Sequence, residues 1–395
     1  MTLTDAVPLV DRLPAVLDWA EEGADVVADA MSTHRRRLEE AMWSLLQRAE
    51  ELARSSDLGA QTATLRALGP AWGGADDQAR RRVTLAPATS RRLLWAAQRP
   101  HDAARWITMA LAYEAAAAAG SGVLRQGLWS ALGDRHVDAG RLPALPAPTP
   151  LSCGAGGSGM TPGALRSAPQ YVAPVIGGGI PVDAWSPLSR TVHITRTNGV
   201  ADRWPEFDET GLQEVTARLD EALAGLRATS AVAAALVETF TLVVVVRCPG
   251  GGFGHGSTVV DLGRTVIMDP LAPCATPARL TEALLHEAMH HLCNVTLRDG
   301  VWVEGDGGAL LVESPWTGNP LPVTTYLQAC LVWGGLRNFW RQAQPRGPFA
   351  RGAGERLVTA ERGFGAGPLL DRIPRSVRSR VHPQVAVAVA SMERP

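Results

Sequence analysis

The residues of this chain best suited to chemistry lie together in Leu280–Val295, LTEALLHEAMHHLCNV, where His286, Glu287 and His290 form an HExxH pattern. Side chains four apart on a helix stand one above the other, so both imidazoles can reach one metal ion while Glu287 projects beside them toward a metal-bound water. With zinc as the metal, Glu287 would be the general base of a metallopeptidase. A pair of helical histidines can also be packed or solvated, and a five-residue pattern with three fixed positions is not rare. The third ligand therefore decides what such a site is. A metzincin needs Gly and His where this chain has Cys293 and Thr296. A gluzincin needs a glutamate on a following helix, but Glu304 precedes a Gly-Asp-Gly-Gly turn and Glu313 precedes Ser-Pro. His382, in RVHP, is a further donor or simply a loop histidine. His291, about a quarter turn beyond His290, can at most support the site from outside the ligand set.

Several elements must position this helix. Leu212–Leu226 has helical periodicity, and Thr241–Val246 is a β-branched run suited to a buried strand. The glycines 250, 251, 252, 254 and 256 follow, and Ser257–Asp269 alternates as a second strand with a turn at Asp261–Arg264. Pro270 and Pro273 close the strand region, and Thr276 or Thr281 caps a helix starting near Pro277. Upstream, Leu38, Met42, Leu45, Leu46, Ala49 and Leu52 recur at helical spacing, and Ser90–Ala119 reads as a second amphipathic segment. Between Leu142 and Gly163 the chain is dominated by Pro, Gly and Ser and cannot continue a helix. Gly154–Gly159 lacks the Lys-Ser/Thr ending of a phosphate loop. The pattern predicts an α+β fold, mainly α. A helical region (1–145), a Pro/Gly-rich linker or loop (146–170) and a metal-site domain (171–395) follow in order, the last packing a small sheet on the HExxH helix with further C-terminal helices.

Bulk composition narrows the function classes. The 395 residues are 46% hydrophobic and 19% charged, with 38 basic and 39 acidic side chains, and every basic residue is arginine. A protein that neutralises nucleic-acid phosphates carries a basic excess, and a disordered chain is poorer in apolar residues. No uncharged apolar run approaches the roughly 18 residues of a membrane helix, and Met1–Val16 has no basic head before an apolar stretch, so the expected location is the cytoplasm. The five cysteines are scattered and lack CxxC spacing, which predicts reduced thiols.

A longer pattern follows the HExxH helix: Glu313-Ser-Pro-Trp316, then Asn319-Pro-Leu-Pro322, then a helix from Tyr326 to Arg341 ending Asn-Phe-Trp-Arg. In this order and spacing it resembles the HExxH-type 2-oxoglutarate-dependent peptide β-hydroxylases, over about Val243–Arg341. Those proteins act in pathways that modify ribosomally synthesised peptides, often beside radical SAM enzymes. The resemblance implies Fe(II) rather than zinc, held by His286 and His290, with 2-oxoglutarate chelating the metal and a precursor peptide as substrate. The family's third ligand sits in a Leu-His-Gly setting; here that place reads Leu327-Gln328-Ala329, which offers the neutral amide oxygen of Gln328, a weaker donor. Glu287 would then orient a ligand or water without an obligatory general-base role. The distal carboxylate of 2-oxoglutarate needs a bidentate cation, for which Arg298, Arg337 and Arg341 are nearest and Arg337 is the choice. Trp316 and Trp333 read as packing residues. Besides hydroxylase and zinc peptidase, the Gln328 departure leaves open a non-catalytic relative that binds the peptide or a radical SAM partner.

Overall fold

The computed structural model describes residues 9–55, 68–118, 128–137, 171–186, 207–344, 348–349 and 352–394. The expected linker at 146–170 lies outside them. The described chain is mainly helical around a small mixed sheet, the predicted fold class. It begins with α1 (Leu9–Leu17), α2 (Gly23–Ser55), α3 (Asp77–Leu85), α4 (Pro87–Leu94) and α5 (Pro100–Ala118). β1 (Leu128–Trp129), β2 (Arg135–Val137) and β3 (Tyr171–Val172) pair antiparallel. Next come β4 (Val175–Ile176), β5 (Ile180–Asp183), α6 (Glu209–Thr229), α7 (Ala231–Phe240), β6 (Val243–Arg247), β7 (Gly254–Gly256) and β8 (Arg264–Met268). The HExxH helix is α8 (Pro277–Asp299); β9 (Leu311–Glu313) and the paired β10 (Pro320–Pro322) lead into α9 (Val323–Ala343), α10 (Ala353–Glu361), α11 (Arg375–Arg378) and α12 (Pro383–Ser391). No helix among the described residues is long and apolar enough to cross a membrane. The four described cysteines are free thiols.

Two local expectations change. The amphipathic stretch Ser90–Ala119 is two helices, because α4 stops at Leu94 and α5 starts at Pro100. Pro100 has no N–H to carry a helix through, and its ring disfavours helical backbone at Arg99. The strand expected within Ser257–Asp269 is confined to β8, and its neighbour comes from the glycine cluster as β7. Between them Gly263, at φ +89°, makes the turn that brings the chain back beside β6.

The sheet order is β4-β5-β6-β8-β7, with β5, β6 and β8 parallel and β4 and β7 antiparallel at the two ends. Val244, Val246 and Ile267 face the main core, while Val243, Val245 and Val266 form a smaller apolar cluster on the opposite face. Burial on both faces explains the unbroken valine run of β6, since a parallel strand between two others has no wet side. The main core also takes in α1 and the start of α2, and a second apolar cluster runs from Leu38 through α5. Arg91 of α4 reaches across to Asp261, its Nε donating to Oδ1 at 2.7 Å, just before β8.

α8 is held on all sides. Thr276 caps it, its hydroxyl accepting from the Arg279 N–H, and Pro277 occupies the first turn where no N–H is needed. Leu280, Ala283, Leu284, Leu285, Ala288 and Leu292 are buried. Glu282 is buried as well, accepting from Trp340 Nε1 of α9 at 2.8 Å and from Arg356 Nε of α10 at 2.8 Å. Removing one member of such a pair strands a charge in the core. Arg356→Met is expected to cost about 3–5 kcal/mol of folding stability, measured by urea denaturation; an unchanged midpoint would show that Glu282 finds solvent or another donor.

Candidate metal centre

His286, Glu287 and His290 project from one flank of α8 toward β7 and α9. His286 Nε2 and His290 Nε2 are 3.1 Å apart, and their ring centres are 4.8 Å apart. Nitrogens bound to one ion at about 2.1 Å are separated by roughly 3.0–3.4 Å, from octahedral to tetrahedral angles. The pair is thus spaced as two ligands of one metal; without a metal, an N–H on one ring can donate to the lone pair of the other. Burial pushes His286 well below the usual histidine range, an effect larger than the opposing pull of Glu287, so its imidazole is neutral and able to ligate.

His290 is oriented from behind. Its Nδ1 lies 3.2 Å from Gln328 Oε1, and Gln328 Nε2 donates to Asn294 Oδ1 at 2.9 Å. An amide oxygen accepts only, so in this contact His290 Nδ1 is the donor, and Nε2 is the ring nitrogen turned toward His286. The structure therefore brings Gln328 to His290 through the ring nitrogen that does not face His286.

Glu287 meets a histidine that the sequence reading passed over. His255, the middle residue of β7, places Nδ1 2.6 Å from Glu287 Oε1. Its ring centre is 4.9 Å from that of His286. One donor atom from each of His255, His286 and Glu287 falls within 4.8 Å of the others. Burial alone would raise the Glu287 pKa, but the hydrogen bond from His255 opposes it and the carboxyl is held below its ordinary range. Glu287 is thus an ionised acceptor with its Oε1 already engaged. The one signal for His255 in the sequence was a histidine set between glycines, Gly254-His255-Gly256, where a side chain with chemistry interrupts a tract of residues with none.

An aromatic wall completes the site. Trp333 of α9 meets His286 edge-on at 5.8 Å and stacks on Trp316, which in turn meets Phe364 edge-on. Trp316 is fixed by its indole N–H, which donates to the Ala360 carbonyl at 2.8 Å. Arg337 lies past that wall, its guanidinium 4.4 Å over the Phe364 ring and donating to the Arg394 carbonyl; its Nε is buried without a hydrogen-bond partner among the described residues. Arg298 donates to the Val259 carbonyl, and Arg341 pairs with Glu361. His291 turns away from Glu287, with Nδ1 accepting from the Gly263 N–H at 3.4 Å, and burial lowers its pKa to about 4. Glu304 and Glu313 are exposed, as is His382, which precedes α12 and donates its backbone N–H to Trp302.

No protein-family model and no curated protein matches this chain. Its chemistry is read from the geometry. If Gln328 fixes the tautomer of His290, Gln328→Leu should lower metal affinity by about 10- to 100-fold, as for other groups that hold a ligand in place. Calorimetric titration of the metal-free chain with zinc or cobalt checks this; unchanged affinity would mean that His290 needs no partner at Nδ1.

Proposed function

We propose that this protein is an Fe(II)- and 2-oxoglutarate-dependent hydroxylase acting on a side-chain Cβ of a ribosomally synthesised precursor peptide. The observation that carries the metal half of this reading is the 3.1 Å approach of His286 Nε2 to His290 Nε2 on one flank of α8. Imidazole nitrogens suit iron as well as zinc. The other support is that the segments carrying the resemblance surround this pair: Ser-Pro-Trp supplies Trp316 to the wall, and the Pro-Leu-Pro strand β10 leads into α9, which carries Gln328 and Trp333.

Bound together, Fe(II) and 2-oxoglutarate would supply the oxidative chemistry. The protein's part is positioning and exclusion of water. His286 and His290 would hold the metal, with His290 kept in one tautomer by Gln328. Trp333 and Trp316 shield one side of His286 with apolar surface. For the distal carboxylate the sequence nominates Arg337, but its guanidinium lies beyond the Trp333–Trp316–Phe364 wall, over Phe364 and on the Arg394 carbonyl, and no contact among the described residues brings it to His286. Glu287 serves through Oε1 as the acceptor for His255. A precursor peptide, possessing Cβ positions to modify, is the partner this reading requires, and a radical SAM enzyme working on the same peptide is a second.

Anaerobic addition of Fe(II) and then 2-oxoglutarate to the purified chain should give one iron per protein and the charge-transfer absorption of an iron–2-oxo acid chelate. With oxygen and a precursor peptide encoded beside the gene, succinate and a peptide carrying one added oxygen atom should form. His286→Ala and His290→Ala should each abolish the absorption band. Peptide cleavage that needs zinc and Glu287 but no 2-oxoglutarate would replace this reading with the peptidase.

A further inference from the structure

We propose that His255 is the third protein donor to the metal, positioned by Glu287, and that Gln328 acts on His290 without touching the ion. The proposal rests on the metal-site reading above but on neither the identity of the metal nor the reaction.

Three observations converge. First, the rings of His255 and His290 stand at nearly equal distances from His286, 4.9 and 4.8 Å between centres, both inclined to it by 60° or more. With nitrogen–metal bonds of about 2.1 Å, two imidazoles on one ion place their centres roughly 4.5–5.5 Å apart. Second, each outer histidine has its Nδ1 committed to an oxygen acceptor, His255 to Glu287 and His290 to Gln328. That is the arrangement by which proteins hold a ligating imidazole: the acceptor fixes the proton on one nitrogen and leaves the other for the metal. Third, the competing donors are placed differently. Gln328 has its oxygen on His290 Nδ1 and its amide nitrogen on Asn294, so both ends are in use. Glu287 Oε1 is 4.0 Å from His286 Nε2, wider than the 3.1 Å between the His286 and His290 nitrogens, and that oxygen is already engaged by His255 Nδ1.

The strand explains why a histidine can reach this point. β7 lies at the end of the sheet, paired only with β8 among the described residues, and a Cβ added at Gly254 would come within 2.8 Å of Met268 Cε. Gly254 leaves room for the tip of the Met268 side chain on β8, and His255 is directed at Glu287 of α8. A site of three imidazoles leaves further coordination positions open, which suits a metal that must also bind a small chelating molecule.

Cobalt(II) is the probe. In His255→Cys the new thiolate should ligate cobalt and give the intense near-ultraviolet sulfur-to-cobalt charge-transfer band, read against the wild-type cobalt spectrum as baseline, whereas Gln328→Cys should not. His255→Ala should weaken cobalt binding by more than the roughly 100-fold seen when a supporting residue is lost. Glu287→Ala should cost about 10- to 100-fold, and Glu287→Gln, which keeps an acceptor for His255 Nδ1, less than about tenfold. Circular dichroism of the metal-free variants verifies that each is folded, and the cysteine variant gives a positive signal in place of a loss. A band from Gln328→Cys, or none from His255→Cys in a chain that otherwise binds cobalt, overturns the assignment and leaves the metal site standing. Failure of the wild-type chain to bind cobalt overturns both.

Discussion

A carboxylate buried on the flank of a helix stays ionised only if a donor meets it there. Glu287, with 3% of its side chain exposed, is met by His255 from a strand 32 residues earlier in the chain. That contact ties the end of the sheet to α8, and the candidate metal site takes its shape from it. It also depends on register. β7 pairs Gly254 with Met268, His255 with Ile267 and Gly256 with Val266. A slip of one residue would turn His255 to the other face and leave Glu287 without its partner, because side chains alternate along a strand. The packing that fixes β8 between β6 and β7 therefore acts, at one remove, on the protonation of a residue in α8.

The opposite side of the site depends on how α8 and α9 meet. Their contacts run in reverse order, Glu282 with Trp340 and His290 with Gln328, so the helices are antiparallel. Midway, a Cβ at Gly335 would come within 2.6 Å of Met289 Sδ and 3.0 Å of Leu17 Cδ2. Absence of a side chain there lets the two helices and α1 approach closely, and the indole N–H of Trp19 uses the same gap to reach the Gly335 carbonyl at 2.9 Å. Close approach is what allows a side chain as short as glutamine to span from α9 to the back of His290. Longer separation would require a longer reach, with more rotamer freedom and less control of the imidazole.

Much of this was legible in the sequence where the cause is local. The α8 cap and the valine strand β6 follow from residue type and terminal residues, the helix after Pro-Leu-Pro comes with the longer motif pattern, and His286 and His290 follow from i, i+4 spacing. What was not legible is non-local. The glycines around His255 carry no periodicity, and nothing nearby signals that β8 will pair with them. Gln328 was placed near the metal by the resemblance, but the side of His290 it meets depends on the crossing of α8 and α9. The break at Pro100 was legible in principle; a continuous apolar pattern across Ser90–Ala119 outweighed the proline, although backbone chemistry overrides pattern at that residue.

An HExxH sequence places two imidazoles and a carboxylate on one helix face, and nothing in those residues alone makes the carboxylate a base. A base must be free to accept the proton it removes. Here the hydrogen bond that keeps Glu287 ionised engages one of its two oxygens, and the donor is itself an imidazole with a second nitrogen to offer a metal. The same helical motif thus supports two chemistries, and what separates them is the group opposite the glutamate. In this protein that group is His255, which ties Glu287 to β7 through Oε1.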